Sequence, residues 1–377
     1  MPSRRALVRA VGVAVVAAPL WARAQGRANE PPPPEPGAPR PRVRFGQGPQ
    51  TVALLLPRQD GPFARAAQSL LAGVRAAHER DGAGMVVEAI EIDDQADELA
   101  LALAELVERK VSLVLGPVTR NGAAALVDLG GTGVPTLALN VPDGNAPVPS
   151  RLTFFGLAIE SEARQAAALA YAQSPAGAGR RRPRAVCAVV ASPLARRAVQ
   201  AFRDAWIGLG GVAEEPVEFA GLRPSRDLRA RLVAASPDVA FLAMGAEQAR
   251  VLRGAFGRDT AVWSTSLASI GNASQLRLPE LDGMKVLEMP WLLEADSPAV
   301  MAYPKVPAGF NVEMQRLYAF GIDAFRIGRQ LLAGDTVFEL DGVTGRLRYD
   351  RAVAPRVERV ALQAEYRNGA PVPASAP

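Results

Sequence analysis

Three features of this 377-residue sequence predict an α/β fold of two similar lobes, each a doubly wound, mostly parallel sheet. Residues 86–140 alternate strand, helix, strand, helix, strand, a series that joins parallel strands by right-handed crossovers and covers both faces of a sheet. A second series of the same kind runs over 185–264, after a Gly-, Pro- and Arg-rich break at 174–184. The hydrophobic fraction of 49% and mean hydropathy of +0.06 supply the apolar surface that two cores need.

Within the first series, Val86-Val87-Glu88-Ala89-Ile90-Glu91-Ile92 alternates apolar and acidic residues as a half-buried strand does, and Asp93-Asp94 suit the turn and helix cap after it. Leu99, Leu103, Leu106, Val107 and Lys110 then recur at helical spacing, with Asp97 and Glu98 in the first turn and Arg109 and Lys110 in the last, as the helix dipole favours. Residues 112–115 are a short apolar strand ended by Gly116-Pro117, 123–129 a helix closed by Gly130-Gly131, and 136–139 the next strand. Upstream, 52–56 reads as a buried strand ended by Pro57. The loop Arg58-Gln59-Asp60-Gly61-Pro62 follows it at the strand's carboxyl end, where open α/β sheets place ligands.

After a strand at 152–158 and a helix at 161–172, the second series places strands at 185–190, 217–220, 239–243 and 261–264, with helices at 195–209, 226–235 and 247–256 between them. A further strand at 284–289 leads into Pro290-Trp291-Leu292-Leu293, where Trp291 is expected as a packing anchor. The last helix starts at Asn311, a good N-cap, and turns Leu317, Phe320, Ala324, Ile327 and Leu331 to one apolar face. Asp323 and Arg326 fall on its polar stripe as an expected surface ion pair. Gly342-Val343-Thr344-Gly345 turns between two short strands, with Leu347 and Tyr349 sharing a face, and 357–366 forms a third strand before a disordered tail at 369–377.

The amino terminus reads as an export signal over 1–24: a basic start, an apolar core at 11–20 too short to span a bilayer, and a small-residue cleavage site at Ala22-Arg23-Ala24. Ser3-Arg4-Arg5-Ala6-Leu7 also matches a twin-arginine route beside the general one. Residues 25–50, with Pro31-Pro32-Pro33-Pro34, are a Pro-rich linker. The leader's Arg4, Arg5, Arg9 and Arg23 carry four of the five formal net charges, so the mature chain is close to neutral and nucleic acid is not an expected partner. The single cysteine, Cys187, sits inside a predicted strand, far from any lipid-attachment position, and precludes an intramolecular disulfide. A soluble periplasmic protein with no transmembrane segment in its mature chain is expected.

Enzymatic readings find little material. His78 is the sole histidine, which argues against a metal cluster and leaves a Ser-His-Asp triad only that helical residue. Leu129-Gly130-Gly131-Thr132-Gly133 follows a helix instead of a strand, unlike a phosphate loop. No catalytic residue, metal or cofactor is expected.

Residues 51–368 resemble the type I periplasmic binding protein fold through Ile92-Asp93-Asp94, Val114-Leu115-Gly116-Pro117 and Gly342-Val343-Thr344-Gly345-Arg346-Leu347-Arg348-Tyr349-Asp350. That resemblance implies lobe I over 51–158 and 290–333, lobe II over 159–289 and 334–368, and three crossovers near Ala158, Met289 and Ala333. Within it, the chain is similar to LppC-type penicillin-binding-protein activators at 154–167, at Asp282-Gly283, at Met289-Pro290-Trp291-Leu292-Leu293 and at 316–324. This implies a non-catalytic regulator of peptidoglycan synthesis whose partner is a bifunctional penicillin-binding protein. The rival reading is the solute-binding component of an ABC-type transporter for a small amino-acid-like or amide ligand. Its cleft contacts would fall at Gln59, Asp60, Thr119, Asn121 and Asn140 in the first lobe and at Ser192, Gly245 and Ser264 in the second. Against an amino-acid site, Thr119-Arg120-Asn121 replaces the small hydroxyl-rich loop usual in such binders. Ser192-Pro193-Leu194 likewise lacks their aromatic-glycine pair.

Overall fold

The computed structural model describes residues 42–93, 95–144, 146–174, 181–220, 230–232, 234, 236–257, 259–271 and 276–374. The expected leader, most of the linker, Asp94, part of the 226–235 helix and residues 375–377 lie outside this set.

Apolar runs at Gln50–Pro57 (β2), Met85–Ile92 (β3), Leu113–Leu115 (β4), Thr136–Ala138 (β5) and Leu152–Phe154 (β6) pair in parallel, in the order β3-β2-β4-β5-β6. Arg42–Gly46 (β1), expected as the end of the linker, adds an antiparallel strand to β3. With that strand on its open side, β3 is buried along nearly its whole length rather than half-buried. Glu88 is therefore taken inside, where Arg109 and Arg44 pair with it. Helices Ala96–Glu108 (α2) and Arg120–Asp128 (α3) cover one face of this sheet, while Ala64–Asp81 (α1) and the long Val312–Ala333 helix cover the other. The last two cross so closely that a Cβ on Gly73 would lie 1.9 Å from the Tyr318 carbonyl oxygen, and one on Gly321 would lie 2.3 Å from that of Leu70.

The second sheet takes Arg184–Val189 (β7), Val212–Ala213 (β8), Val217–Glu218 (β9), Val239–Ala243 (β10), Ala261–Trp263 (β11) and Lys285–Glu288 (β12) in parallel. Ile159–Ala172 (α4) and Pro193–Gly208 (α5) pack on one face; Ala246–Arg253 (α6) and single turns at Ser266–Ala268 and Pro279–Leu281 pack on the other. Cys187 is fully buried in β7, as a small apolar residue.

After β12 the chain crosses at Met289 into the short helices Pro290–Leu293 (α7) and Pro298–Met301 (α8), then into Val312–Ala333 (α9). Asn311 caps α9, its Oδ1 accepting from Met314 N at 2.9 Å. The next three strands, Val337–Asp341 (β13), Arg346–Asp350 (β14) and Glu358–Val360 (β15), form an antiparallel sheet of their own. Its buried face, with Leu347 and Tyr349, joins the first core. This differs from the expected assignment of 334–368 to the second lobe. The third crossover lies at Ala361, not at Ala333, because Phe154 N donates to Pro355 O at 2.9 Å and Phe154 O accepts from Val357 N at 2.8 Å, which holds this segment on the edge of β6. Beyond Ala361, Leu362–Arg367 (β16) extends the second sheet antiparallel to β12 and Ala370–Pro373 (β17) pairs antiparallel with β16, so part of the expected tail is strand.

Candidate functional site

A chamber of about 680 Å³ opens between the lobes, at the carboxyl ends of β2, β4 and β5 and the starts of α3, α4 and α5. Its walls are chiefly apolar: Phe63, Leu70, Val118, Leu139, Leu157, Ile159, Leu194, Leu317 and Phe320. Phe63 and Leu194, from opposite lobes, are 55% and 38% exposed there. Of the residues expected at a cleft, Thr119, Asn121 and Asn140 meet in this wall.

Two of those three are already engaged. Thr119 Oγ1 accepts from Gly122 N at 3.0 Å as the cap of α3. The Asn140 amide donates to Val118 O at 3.1 Å and accepts from Val141 N at 2.9 Å.

The other expected contacts lie outside the chamber. Asp60 is exposed and paired with Arg58 at 3.2 Å, and Gln59 donates its backbone N–H to the Glu91 carboxylate at 3.2 Å. Ser192 starts α5 and Gly245 starts α6, both half-buried and neither in the chamber wall. Ser264 is fully buried, its hydroxyl donating to Leu242 O at 2.6 Å between strands of the second sheet.

The charged part of the chamber was not legible at the sequence level. Glu160, in the first turn of α4, receives Arg120 from the first lobe at 3.1 Å and Arg197 from the second at 3.0 Å, while Arg120 also pairs with Asp143. One carboxylate of the protein thus occupies both guanidinium groups that face the chamber. The spacing of Glu160 from Arg120 along the chain is long, so no local pattern announces the pairing.

Behind the chamber, a buried polar chain passes through the crossovers. Asp323, fully buried and not the surface ion-pair member the helix pattern suggests, accepts from Val343 N (3.2 Å), Thr344 N (2.8 Å) and Thr344 Oγ1 (2.7 Å) and pairs with Arg326 at 3.0 Å. Burial raises its carboxyl above the usual range, against the opposing pull of Arg326 and the loop donors. Thr344 O accepts from Arg359 at 3.0 Å, Arg359 pairs with Glu162, and Glu162 accepts from Ser266 N at 2.9 Å. Arg316 donates to Ser266 O at 3.0 Å and Ser269 O at 3.1 Å and holds the wholly buried Glu288 and the rim residue Glu313. Burial opposes the charge on Arg316, but Glu288 outweighs it and raises its pKa. At the third crossover, Gln165 exchanges two bonds with the Ala361 backbone, at 2.7 and 3.1 Å.

Trp291 lies at the second crossover, 9% exposed, with its ring 5.2 Å from that of Tyr318 and its backbone N–H on Val343 O at 3.0 Å. His78 is half-buried in α1 between Phe45 and Phe325, with Nε2 3.0 Å from Met85 O. Among the described residues no cluster of His, Cys, Asp and Glu could hold a metal ion, and no helix is long and apolar enough to cross a membrane.

The model of the family described as "LppC putative lipoprotein" matches residues 44–232 and 223–369. The chain belongs to the LppC family. Over 323 residues it is 26% identical to the penicillin-binding protein activator LpoA of Klebsiella pneumoniae, a match covering 75% of this chain and 44% of that protein. The chain thus spans less than half the length of such LppC relatives. The LpoA C-domain of Haemophilus influenzae, a regulator of PBP1A, superposes with a TM-score of 0.70 at 21% identity, over 86% of this chain and all of that domain. A Chromobacterium violaceum protein solved as a "putative branched-chain amino acid ABC transporter" superposes with a TM-score of 0.67 at 30% identity, over 84% of this chain and all of that one. The LppC fold here is therefore the two-lobed α/β architecture that regulators and transporter components share.

Proposed function

We propose that this LppC-family chain is a non-catalytic periplasmic protein that binds a bifunctional penicillin-binding protein and stimulates its synthase activity. The observation that carries the reading is the state of the interlobe chamber. Both of its guanidinium groups are taken by Glu160, and its Thr119 and Asn140 side chains are committed to the protein's own backbone. A zwitterionic solute needs a cationic anchor for its carboxylate, and both guanidinium groups of this wall are already held by Glu160. The buried chain through Arg316, Glu162 and Arg359 meanwhile fixes one relative orientation of the lobes, which suits a composite surface for a protein partner. Relatives named as penicillin-binding protein activators support the choice of partner.

Non-catalytic action fits the side chains present: His78 is committed to Met85 O, and the Cys187 thiol is sealed in β7 with its pKa pushed up to about 12 by burial. The second reading, a transporter's solute-binding component for an amino-acid-like or amide ligand, is favoured by the 30% identity to the Chromobacterium protein. One experiment separates the two. The chain is tested for binding to the extracytoplasmic part of a bifunctional penicillin-binding protein, and its melting temperature is followed across amino acids, small amides and short peptides. Synthase binding without a thermal shift is expected. A clear rise in melting temperature with one such solute and no synthase binding leaves the transporter reading as the better account.

A further inference from the structure

We infer that the interlobe chamber is a binding site for an uncharged, largely apolar small molecule carrying a single hydrogen-bonding group, and that Glu160 is the residue that rejects anionic ligands. The volume of about 680 Å³ falls in the range of pockets that enclose small ligands. Its apolar lining does not close on itself: Phe63 and Leu194 stay exposed at 55% and 38%, facing the chamber from opposite lobes, while Leu70, Leu139 and Phe320 form its buried back wall. Exposed apolar side chains grouped around a concavity mark a site where something apolar binds.

The polar inventory sets the ligand's charge. Arg120 and Arg197 share Glu160, and Arg120 also holds Asp143, so these two cations and two anions cancel. An incoming carboxylate would have to displace Glu160 from two guanidinium groups or be buried beside it unpaired, and a buried unpaired charge is costly. An ammonium ion finds the charge of Glu160 already balanced by two arginines through Oε1, while Glu160 Oε2, buried and without a hydrogen-bond partner among the described residues, is left to accept from a neutral donor. Two neutral groups remain in the wall. The Asn121 amide is exposed and has no partner among the described residues, and the Thr119 hydroxyl, which accepts from Gly122 N, keeps its hydrogen to donate. A neutral aromatic or aliphatic molecule with one donor or acceptor matches that set. The inference does not depend on the protein partner proposed above.

The test uses the full chain with indole as the uncharged probe and benzoate as the anionic one, by isothermal titration calorimetry. Saturable binding of one indole is expected, with benzoate weaker by about tenfold or more, the equivalent of one charge-assisted contact. Asn121→Trp, at an exposed position in the chamber wall, fills the space without touching the core and should weaken indole by about tenfold or more. Glu160→Gln frees the two guanidinium groups and should bring benzoate up by about tenfold or more relative to indole, in a salt-dependent way. The wild-type comparison of the two probes decides the charge argument even if Glu160→Gln unfolds the chain. Benzoate binding wild type as tightly as indole, indole binding that survives Asn121→Trp, a folded Glu160→Gln variant that gains no benzoate, or no indole binding at all would each overturn the inference.

Discussion

Removing the buried pair of Arg316 and Glu288, singly and together, tests whether the lobes are joined as described. Glu288 is wholly buried at the end of β12; beyond Arg316, its only other donor among the described residues is Met289 N at 2.9 Å. Replacing Arg316 by Met leaves that carboxylate buried without its counter-ion, and replacing Glu288 by Met leaves the Arg316 guanidinium with Glu313 at the rim and two carbonyls. Each single change should cost about 3–5 kcal/mol. The double variant removes both charges and fills their space with apolar atoms. It retains the losses of the bonds from Arg316 to Ser266 O and Ser269 O, at 3.0 and 3.1 Å, and of the bond from Met289 N to the Glu288 carboxylate at 2.9 Å, with a cost of about 1–3 kcal/mol at each group left unpaired. The double variant is therefore expected to be far less destabilised than the sum of the two single ones, with a coupling energy of about 3 kcal/mol or more. Equilibrium urea unfolding, followed by tryptophan fluorescence and by far-ultraviolet circular dichroism, gives all three values. Additive costs, with the double variant as unstable as the sum, would show that the two charges are separately hydrated and that the lobes part at this seam.

Trp291→Ala should cost about 3–5 kcal/mol, because the ring is a core element packed at a tilt against Tyr318; an unchanged denaturation midpoint with lost partner binding would place it in an interface instead. Asp323→Asn should cost about 2–4 kcal/mol, since an amide NH₂ then faces N–H donors. The same variant reports pH dependence. Because the folded pKa of Asp323 is raised, the native state holds a proton that the unfolded chain has lost, so this residue's contribution is greatest below the ordinary carboxylate value and is lost as pH rises through the folded one. The wild-type minus Asp323→Asn stability difference should then fall with rising pH in the acid range; a rise would mean that the loop donors and Arg326 win over burial. Cys187 should resist a disulfide reagent at pH 8 in the native state and react only on unfolding, since its thiol is fully buried and its pKa is about 12.

Local patterns announced most of the elements and missed what distant pairing decides. The helical face of Leu317, Phe320 and Ile327 and the cap at Asn311 are short-range properties, and α9 follows them. Asp323 lay on the polar stripe of that same helix. The turn at Gly342–Gly345, twenty residues on, brings its backbone donors to the carboxylate and buries it, which no helical periodicity contains. The linker's last residues became β1 because β3 had an open edge, and Glu88 went inside because Arg109 could reach it. At the chamber, three first-lobe residues read from helix starts and strand ends, Thr119, Asn121 and Asn140, share one wall. Ser264 failed as a contact because its strand is central and its hydroxyl bonds within the sheet. The Glu160 cluster depends on the packing of one lobe against the other and leaves no trace in spacing.

The polar chain at the crossovers also constrains how the lobes can move. Its ion pairs need not add net stability, since carrying both charges of a pair back into water roughly offsets their attraction inside. A small separation is different. Moving Arg316 away from Glu288 by an ångström or two, before water can enter, leaves two buried charges without partners at about 3–5 kcal/mol, and Arg316 loses its bonds to Ser266 and Ser269 in the same motion. Partial opening is thus the costly state, while the described arrangement and a fully hydrated, widely opened one are the two that satisfy every charge. In the described arrangement the seam leaves little conformational freedom between the lobes, so a surface that spans both would have little left to lose on binding.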